Sequence, residues 1–120
     1  MNFDKLVRDK IPEKIIANGE QAFTHEADEA EYKLALEKKL QEEITEFLSN
    51  PCVEEMADVL EVMRALCDLH GVDYSELEKI RQEKFAKRGG FSKRIILEKT
   101  EQKKAWLQSS LTKAKPHRSR

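Results

Sequence analysis

A pair of acidic helices in the middle of the chain constrains the fold more than any other feature. The chain from Leu40 to Glu61 has helical character on both sides of a break at Ser49-Asn50-Pro51, whose residues favour a tight turn. Acids three residues apart flank this break, and residues with that spacing share one face of a helix. These acids are Glu43 and Glu46 before the break and Glu55 and Asp58 after it.

The positions of these acids relative to the turn predict that they meet. Glu46 and Glu55 are equally far from the bend, and so are Glu43 and Asp58. An antiparallel helix pair would therefore place the carboxylates at two matching levels. Carboxylates that close repel one another and raise one another's pKa unless a cation neutralises them. Because oxygen-only ligands suit a hard cation, we predict that these acids bind Mg²⁺, or Mn²⁺, in preference to Zn²⁺.

The apolar pattern of both helices directs these acids toward the predicted core. The first helix, from about Asp28 to Leu48, carries Glu43 within the angular limits of its apolar stripe. The second helix, from about Val53 to His70, carries its acids on a face that becomes apolar further along. The stripe consists of Tyr32, Leu36, Leu40, Ile44, Phe47 and Leu48, and the second face continues through Val62, Leu66 and Leu69. An acidic helix most often presents a solvated surface. Buried carboxylates without partners are unfavourable, however, so acids on core-directed faces favour a bound metal ion.

Two more helices are predicted on either side of this pair. Ile11-Pro12 begins a helix that ends at Asn18-Gly19, because proline suits the first turn and glycine the C-terminal end. Another begins near Ser75, with Ser75 and Glu78 as a capping box, and ends at Gly89-Gly90. The fold class is therefore an all-α antiparallel bundle.

Extended segments and a basic tail complete the predicted organisation. Short β segments are predicted near 22–25 and 91–97, with the second able to pair with the first. We expect one domain over residues 1–97, followed by a basic tail over 98–120 that is partly helical or disordered.

Composition limits the classes of function that the chain can have. Charged residues make up 38% and aromatic residues 7% of the 120 residues, which suits long amphipathic helices. The net charge of −1 argues against a nucleic-acid binder, although the segment from Lys103 to Arg120 carries six cations and no acid. Cys52 and Cys67 lack metal spacing and are interpreted as reduced core thiols. Without a membrane-spanning run or a signal-peptide core, the expected location is the cytoplasm.

Two cations near the end of the last helix are candidates for binding phosphate. Lys84 and Arg88 are four residues apart and share a face. Alone they would be interpreted as cations that favour a helix C-terminus. Beside an acidic metal site they suit a phosphate clamp, in which the metal holds one side of a polyphosphate and the cations hold the other. The N-terminal cations Lys5, Arg8 and Lys10 fit the same role, but their pattern does not place them in the site.

Other metal and catalytic motifs are missing from the sequence. A di-iron carboxylate bundle uses Glu-x-x-His on two helices, and His25, His70 and His117 have no glutamate three residues before them. No P-loop, Rossmann glycine pattern, Ser-His-Asp candidate or zinc spacing is present.

The motifs together resemble a known family. Glu42-Glu43-x-x-Glu46 followed by Glu55-x-x-Asp58 resembles the metal motif of the MazG-like all-α nucleoside triphosphate pyrophosphohydrolases. The opening Lys5-Leu6-Val7-Arg8-Asp9-Lys10-Ile11-Pro12 and the later Lys84-x-x-x-Arg88-Gly89-Gly90-Phe91 resemble the phosphoribosyl-ATP pyrophosphohydrolase-like branch. The three blocks span nearly the whole chain before the tail.

The resemblance implies a fold, an assembly and an activity. The fold is an all-α bundle completed by dimerisation, as a homodimer or homotetramer. The activity is hydrolysis of a nucleoside triphosphate between the α and β phosphates, which gives the monophosphate and pyrophosphate. By analogy, Mg²⁺ is bound by Glu43, Glu46, Glu55 and Asp58, and the substrate phosphates by Lys84 and Arg88, with Lys5, Arg8 and Lys10 as further candidates. A carboxylate of the cluster, Glu43 or the adjacent Glu42, accepts the proton of the attacking water.

Two alternatives belong to other classes of protein. One is a non-enzymatic helical module that binds nucleotide or nucleic acid, for example through Trp106 and the cations of the tail. Binding that weakens steeply with salt and is lost on truncation after Glu98 would favour it. The other is a structural assembly protein, in which joint replacement of the four acids by alanine would have little effect.

Overall fold

The computed structural model describes residues 4–102, which form four α-helices and no β-strand. The helices are α1 (Ile11–Ala17), α2 (Glu29–Ser49), α3 (Val53–Leu69) and α4 (Tyr74–Arg88). All four helices predicted from the sequence are therefore confirmed, and the chain is all-α over this part.

Local signals explain most of the helix ends. The carboxylate of Asp28 accepts a hydrogen bond of 2.9 Å from the backbone N–H of Glu31 and so caps the start of α2. Gly71 adopts a positive φ of 67° just after α3, a conformation that glycine adopts more readily than other residues. The predicted capping box of α4 is wrong: the helix begins one residue before Ser75, so Ser75 lies in the first turn. Its hydroxyl donates to the carboxylate of Asp73, the residue before the helix, over 2.8 Å.

The main packing interface within residues 4–102 lies between α2 and α3, which the short turn at Asn50–Cys52 joins as an antiparallel pair. Leu36 on α2 is only 2% exposed, and Val62 and Cys67 on α3 are also buried. The fourth buried residue in the described part is the acid Glu43. The predicted faces thus pack against each other in part: Ile44 and Leu48, which the sequence pattern assigns to the apolar stripe of α2, are 41% and 70% exposed. The acidic segment lies at the turn end of the interface.

The helix α4 does not add to this core. None of its residues is buried, and its apolar side chains Leu77, Ile80 and Phe85 are all exposed. One chain alone therefore leaves much apolar surface in contact with solvent.

The two predicted β segments do not form in the described residues. The segments 22–25 and 91–97 contain no strand, and their aromatic residues Phe23 and Phe91 are 90% and 88% exposed. A two-stranded ribbon is marginal unless it packs against another element. Because the large apolar side chains of both segments remain exposed in the described part of the chain, their apolar content does not produce pairing.

The structure tests only some of the remaining predictions. Both cysteines are free, with Cys67 buried and Cys52 partly buried. Among residues 4–102, none of the helices combines the length and the apolar character needed to cross a lipid bilayer. The tail predictions that fall on residues 103–120, including the peripheral helix and Trp106, lie outside the described residues.

Replacement of Leu36 by alanine tests whether the α2–α3 interface is the core. We expect Leu36→Ala to lower the free energy of unfolding by about 2–4 kcal/mol, because it leaves a cavity at the least exposed apolar position. The control is Leu34→Ala on the same helix, where the side chain is 66% exposed, and this change should cost less than about 0.5 kcal/mol. Urea unfolding at a fixed protein concentration measures both values. Equal losses would show that the core lies elsewhere.

Candidate metal centre

Three acids meet where α2 and α3 pack near the turn. Glu43 comes from α2, and Glu55 and Asp58 come from the first two turns of α3. One carboxylate oxygen from each residue lies within 4.8 Å of the oxygens of the other two. The structure therefore brings together three of the four acids that the hairpin argument placed at one site.

Burial of Glu43 distinguishes this group from an ordinary acidic surface. Glu43 is only 7% exposed, and its Oε2 is buried without a hydrogen-bond partner in the described part of the chain. The Oε2 of Glu55 is likewise buried without a hydrogen-bond partner in these residues. A buried carboxylate oxygen without a partner is strongly unfavourable. Two such atoms in one group indicate that a cation or a proton is needed there.

The pKa of Glu43 reflects this environment. Burial raises the pKa of the carboxyl most, the nearby charge of Glu46 raises it further, and the ammonium of Lys39 partly opposes both. The Nζ of Lys39 lies 3.5 Å from Oε1 of Glu43, one helical turn away. Lys39 was not among the residues predicted from the sequence, although its position four residues before Glu43 marks it as a partner for that acid.

Glu46 occupies the rim of the group. It is exposed and close enough to Glu43 to raise its pKa, but it does not belong to the set of three acids whose oxygens converge. Glu42, the other candidate base, is partly buried and lies 4.0 Å from Nζ of Lys39. Both side chains therefore lie beside the three converging acids and are not part of that group.

Arg8, in the N-terminal segment, contacts one of these three acids. Its Nη2 lies 2.6 Å from Oδ1 of Asp58, across a separation of 50 residues in sequence. Lys5 and Lys10 are exposed residues of the same segment. Arg8 is thus an N-terminal candidate for binding phosphate that the structure joins to the acids, and its partner is a carboxylate.

The other two predicted phosphate-binding residues lie away from the acids. Lys84 and Arg88 are exposed on α4, which does not share the α2–α3 interface. No ion pair in residues 4–102 joins either of them to Glu43, Glu55 or Asp58. Within a single chain, the predicted clamp and the acidic group are therefore separate.

The residues present fit a hard divalent cation. Glu43, Glu55 and Asp58 offer only carboxylate oxygens, which Mg²⁺ and Mn²⁺ prefer. The two buried oxygens without partners provide the electrostatic reason for a cation to bind. We call this set of three acids the acidic centre.

Comparison of the chain with protein-family models, with curated proteins and with solved structures finds no significant match. The relation to MazG-like enzymes therefore remains a resemblance carried by the sequence motifs.

Titration of Glu43 gives a test that does not depend on activity. Because the pKa of Glu43 is raised in the folded chain, its contribution to stability is fully present below the ordinary glutamate pKa and is lost as pH rises through the folded value. In EDTA, Glu43→Gln should therefore become progressively more stable relative to the unaltered protein as pH rises from about 4, near the ordinary glutamate pKa, into the neutral range.

Denaturant unfolding across this pH range measures the difference. The control is Glu37→Gln, which removes an exposed acid of α2 that pairs with Lys33. A difference between Glu43→Gln and the unaltered protein that stays constant with pH would contradict the raised pKa.

Proposed function

We propose that the chain is a Mg²⁺-dependent nucleoside triphosphate pyrophosphohydrolase. It would hydrolyse an NTP, or a nucleotide like phosphoribosyl-ATP, at the α–β phosphate bond to give the monophosphate and pyrophosphate. The observation that supports this most is the acidic centre, whose three members belong to the sequence motif that resembles the MazG-like metal motif. Removal of unwanted nucleotides from the cellular pool is the role that suits such an activity.

The acidic centre provides the metal ligands in this proposal. Glu43, Glu55 and Asp58 would bind Mg²⁺ or Mn²⁺, with Glu46 available at the rim. When bound, the ion would supply charge neutralisation at phosphate oxygens and increase the acidity of a coordinated water. Because these ligands project from two packed helices, their positions are fixed by the same interface that forms the core.

A carboxylate beside the centre would accept the proton of the attacking water. Glu42 and Glu43 are the two candidates. Glu42 lies outside the set of converging oxygens, so it could hold a proton while Glu43 remains a ligand. Lys39 lies near both carboxylates and would limit the repulsion between them.

For Lys84 and Arg88 to act as the proposed phosphate clamp, α4 must make a further packing contact. Lys84 and Asp58 are equally far in sequence from Gly71, where α3 ends. Packing of α4 antiparallel to α3 would therefore place Lys84 level with Asp58, with Arg88 one turn beyond. There they would offset the charge on the leaving pyrophosphate, together with Arg8, Lys5 and Lys10 from the N-terminal segment.

A homodimer or homotetramer is part of the proposal. The exposed apolar residues of α3 and α4 supply a surface for a second copy, because burial of such side chains drives association. They include Met56, Leu60, Ile80 and Phe85. We also propose that the protein acts in the cytoplasm, where its two free cysteines would remain reduced.

Pyrophosphate release from a panel of nucleotides tests the activity. The panel holds canonical and modified NTPs and phosphoribosyl-ATP, each with Mg²⁺ and with EDTA. We expect release with an NMP co-product for at least one nucleotide, and loss of release in EDTA. Folded, Mg²⁺-bound protein that is inactive on the whole panel would count against the proposal.

A pair of neighbouring glutamates tests the acidic centre as the source of that activity. Glu55→Gln should lower kcat/KM by a factor of at least about 100, because it removes a metal ligand with a buried oxygen. Glu54→Gln is the matched control, since Glu54 is exposed on the adjacent position of α3 and lies outside the centre. Equal activity of the two variants would exclude Glu55 as a ligand.

A further inference from the structure

Packing of the N-terminal segment brings Arg8 to the acidic centre. The preceding residues Leu6 and Val7 are partly buried, so the N-terminal segment packs on the protein instead of projecting from it. The guanidinium then meets Oδ1 of Asp58 at 2.6 Å.

Among residues 4–102, the cations Lys39 and Arg8 partly neutralise the acidic centre. Lys39 lies against Glu43 on the α2 side, and Arg8 lies against Asp58 on the side of the N-terminal segment. The two differ in how firmly they are held. Lys39 is partly buried and within one helical turn of its partner, whereas the Arg8 side chain is solvent-exposed and belongs to a separate segment.

We propose that a divalent cation at the acidic centre displaces Arg8 from Asp58, and that the released guanidinium binds a substrate phosphate. This inference rests on the proposed metal-dependent function. Two cations on one carboxylate repel each other, so the Arg8–Asp58 ion pair and metal binding weaken each other. Arg8 is the cation that yields because its contact is exposed. The planar fork of the guanidinium matches the geometry of a phosphate, which gives it a second partner close by.

The expected effect on metal affinity is modest and has a definite sign. Exposed ion pairs are weak, which limits the gain in Mn²⁺ affinity of Arg8→Ala to about two- to five-fold. Arg8→Lys keeps the charge without the fork, so its affinity should stay nearer to that of the unaltered protein. Lys14→Ala removes an exposed cation of α1 and is the control for the change in net charge.

Calorimetric titration of the full chain with Mn²⁺ at low salt tests this order. Tighter binding by Arg8→Ala alone supports displacement. Equal or weaker binding by Arg8→Ala overturns it, and weaker binding would mean that Arg8 positions Asp58 for the metal. If the unaltered protein binds no Mn²⁺, the proposed metal site fails together with this inference.

A spectroscopic measurement follows Arg8 directly. The Nε–H resonance of Arg8 should shift as Mg²⁺ is added, over the same concentration range in which the acidic centre fills. Inorganic pyrophosphate added next should shift it again, as the guanidinium binds phosphate. An Arg8 resonance that stays unchanged at saturating Mg²⁺ would show that metal and arginine share Asp58, and would overturn the displacement.

Discussion

The burial of one carboxylate, that of Glu43, is the constraint on which the account of this protein depends. It lies in the only extended helix–helix interface of residues 4–102, at a position that an apolar residue would fill in an ordinary helix pair. A charge in that position is unfavourable unless something neutralises it. Lys39 does so for one oxygen, while the other remains without a partner. A proton or a cation must supply the rest, and the neighbouring oxygens of Glu55 and Asp58 favour a cation.

The sequence predicts this arrangement because a short turn leaves little freedom of register. Once the chain reverses at Asn50-Pro51, Glu43 must meet α3 near Asp58. The apolar stripes then determine the rotation of each helix, so the acids within those stripes face each other. An equal distance from the turn is not enough to bring Glu46 into the acidic centre, however. It lies level with Glu55, but the spacing of three residues turns it by about 60° around α2 from Glu43. The structure leaves it exposed, on the rim.

Contacts between residues that are distant in the sequence could not be predicted from local sequence patterns. Nothing in the residues around Arg8 indicates that it reaches Asp58, because the two are 50 positions apart and no turn or period relates them. The strands near Phe23 and Phe91 were predicted from apolar character alone, which does not ensure that another element covers them. The position of α4 is a similar case, since its apolar residues predict that it packs but not against what.

The exposed side of the molecule connects these observations to the proposed activity. The acidic centre is formed within one chain, whereas Lys84 and Arg88 are carried by a helix that one chain leaves largely uncovered. The proposed metal ligands can therefore be in place before the proposed phosphate-binding cations are. In this account, substrate and assembly complete a site whose most unfavourable part, the buried carboxylates, is already built into the core.

Anomalous diffraction from crystals grown with Mn²⁺ tests the central claim most directly. The account predicts one strong manganese peak between the carboxylates of Glu43, Glu55 and Asp58, at about 2.2 Å from their oxygens. It also predicts that the two buried oxygens without partners are among the ligands. A map with manganese bound only elsewhere, and Oε2 of Glu43 still without a partner, would contradict it.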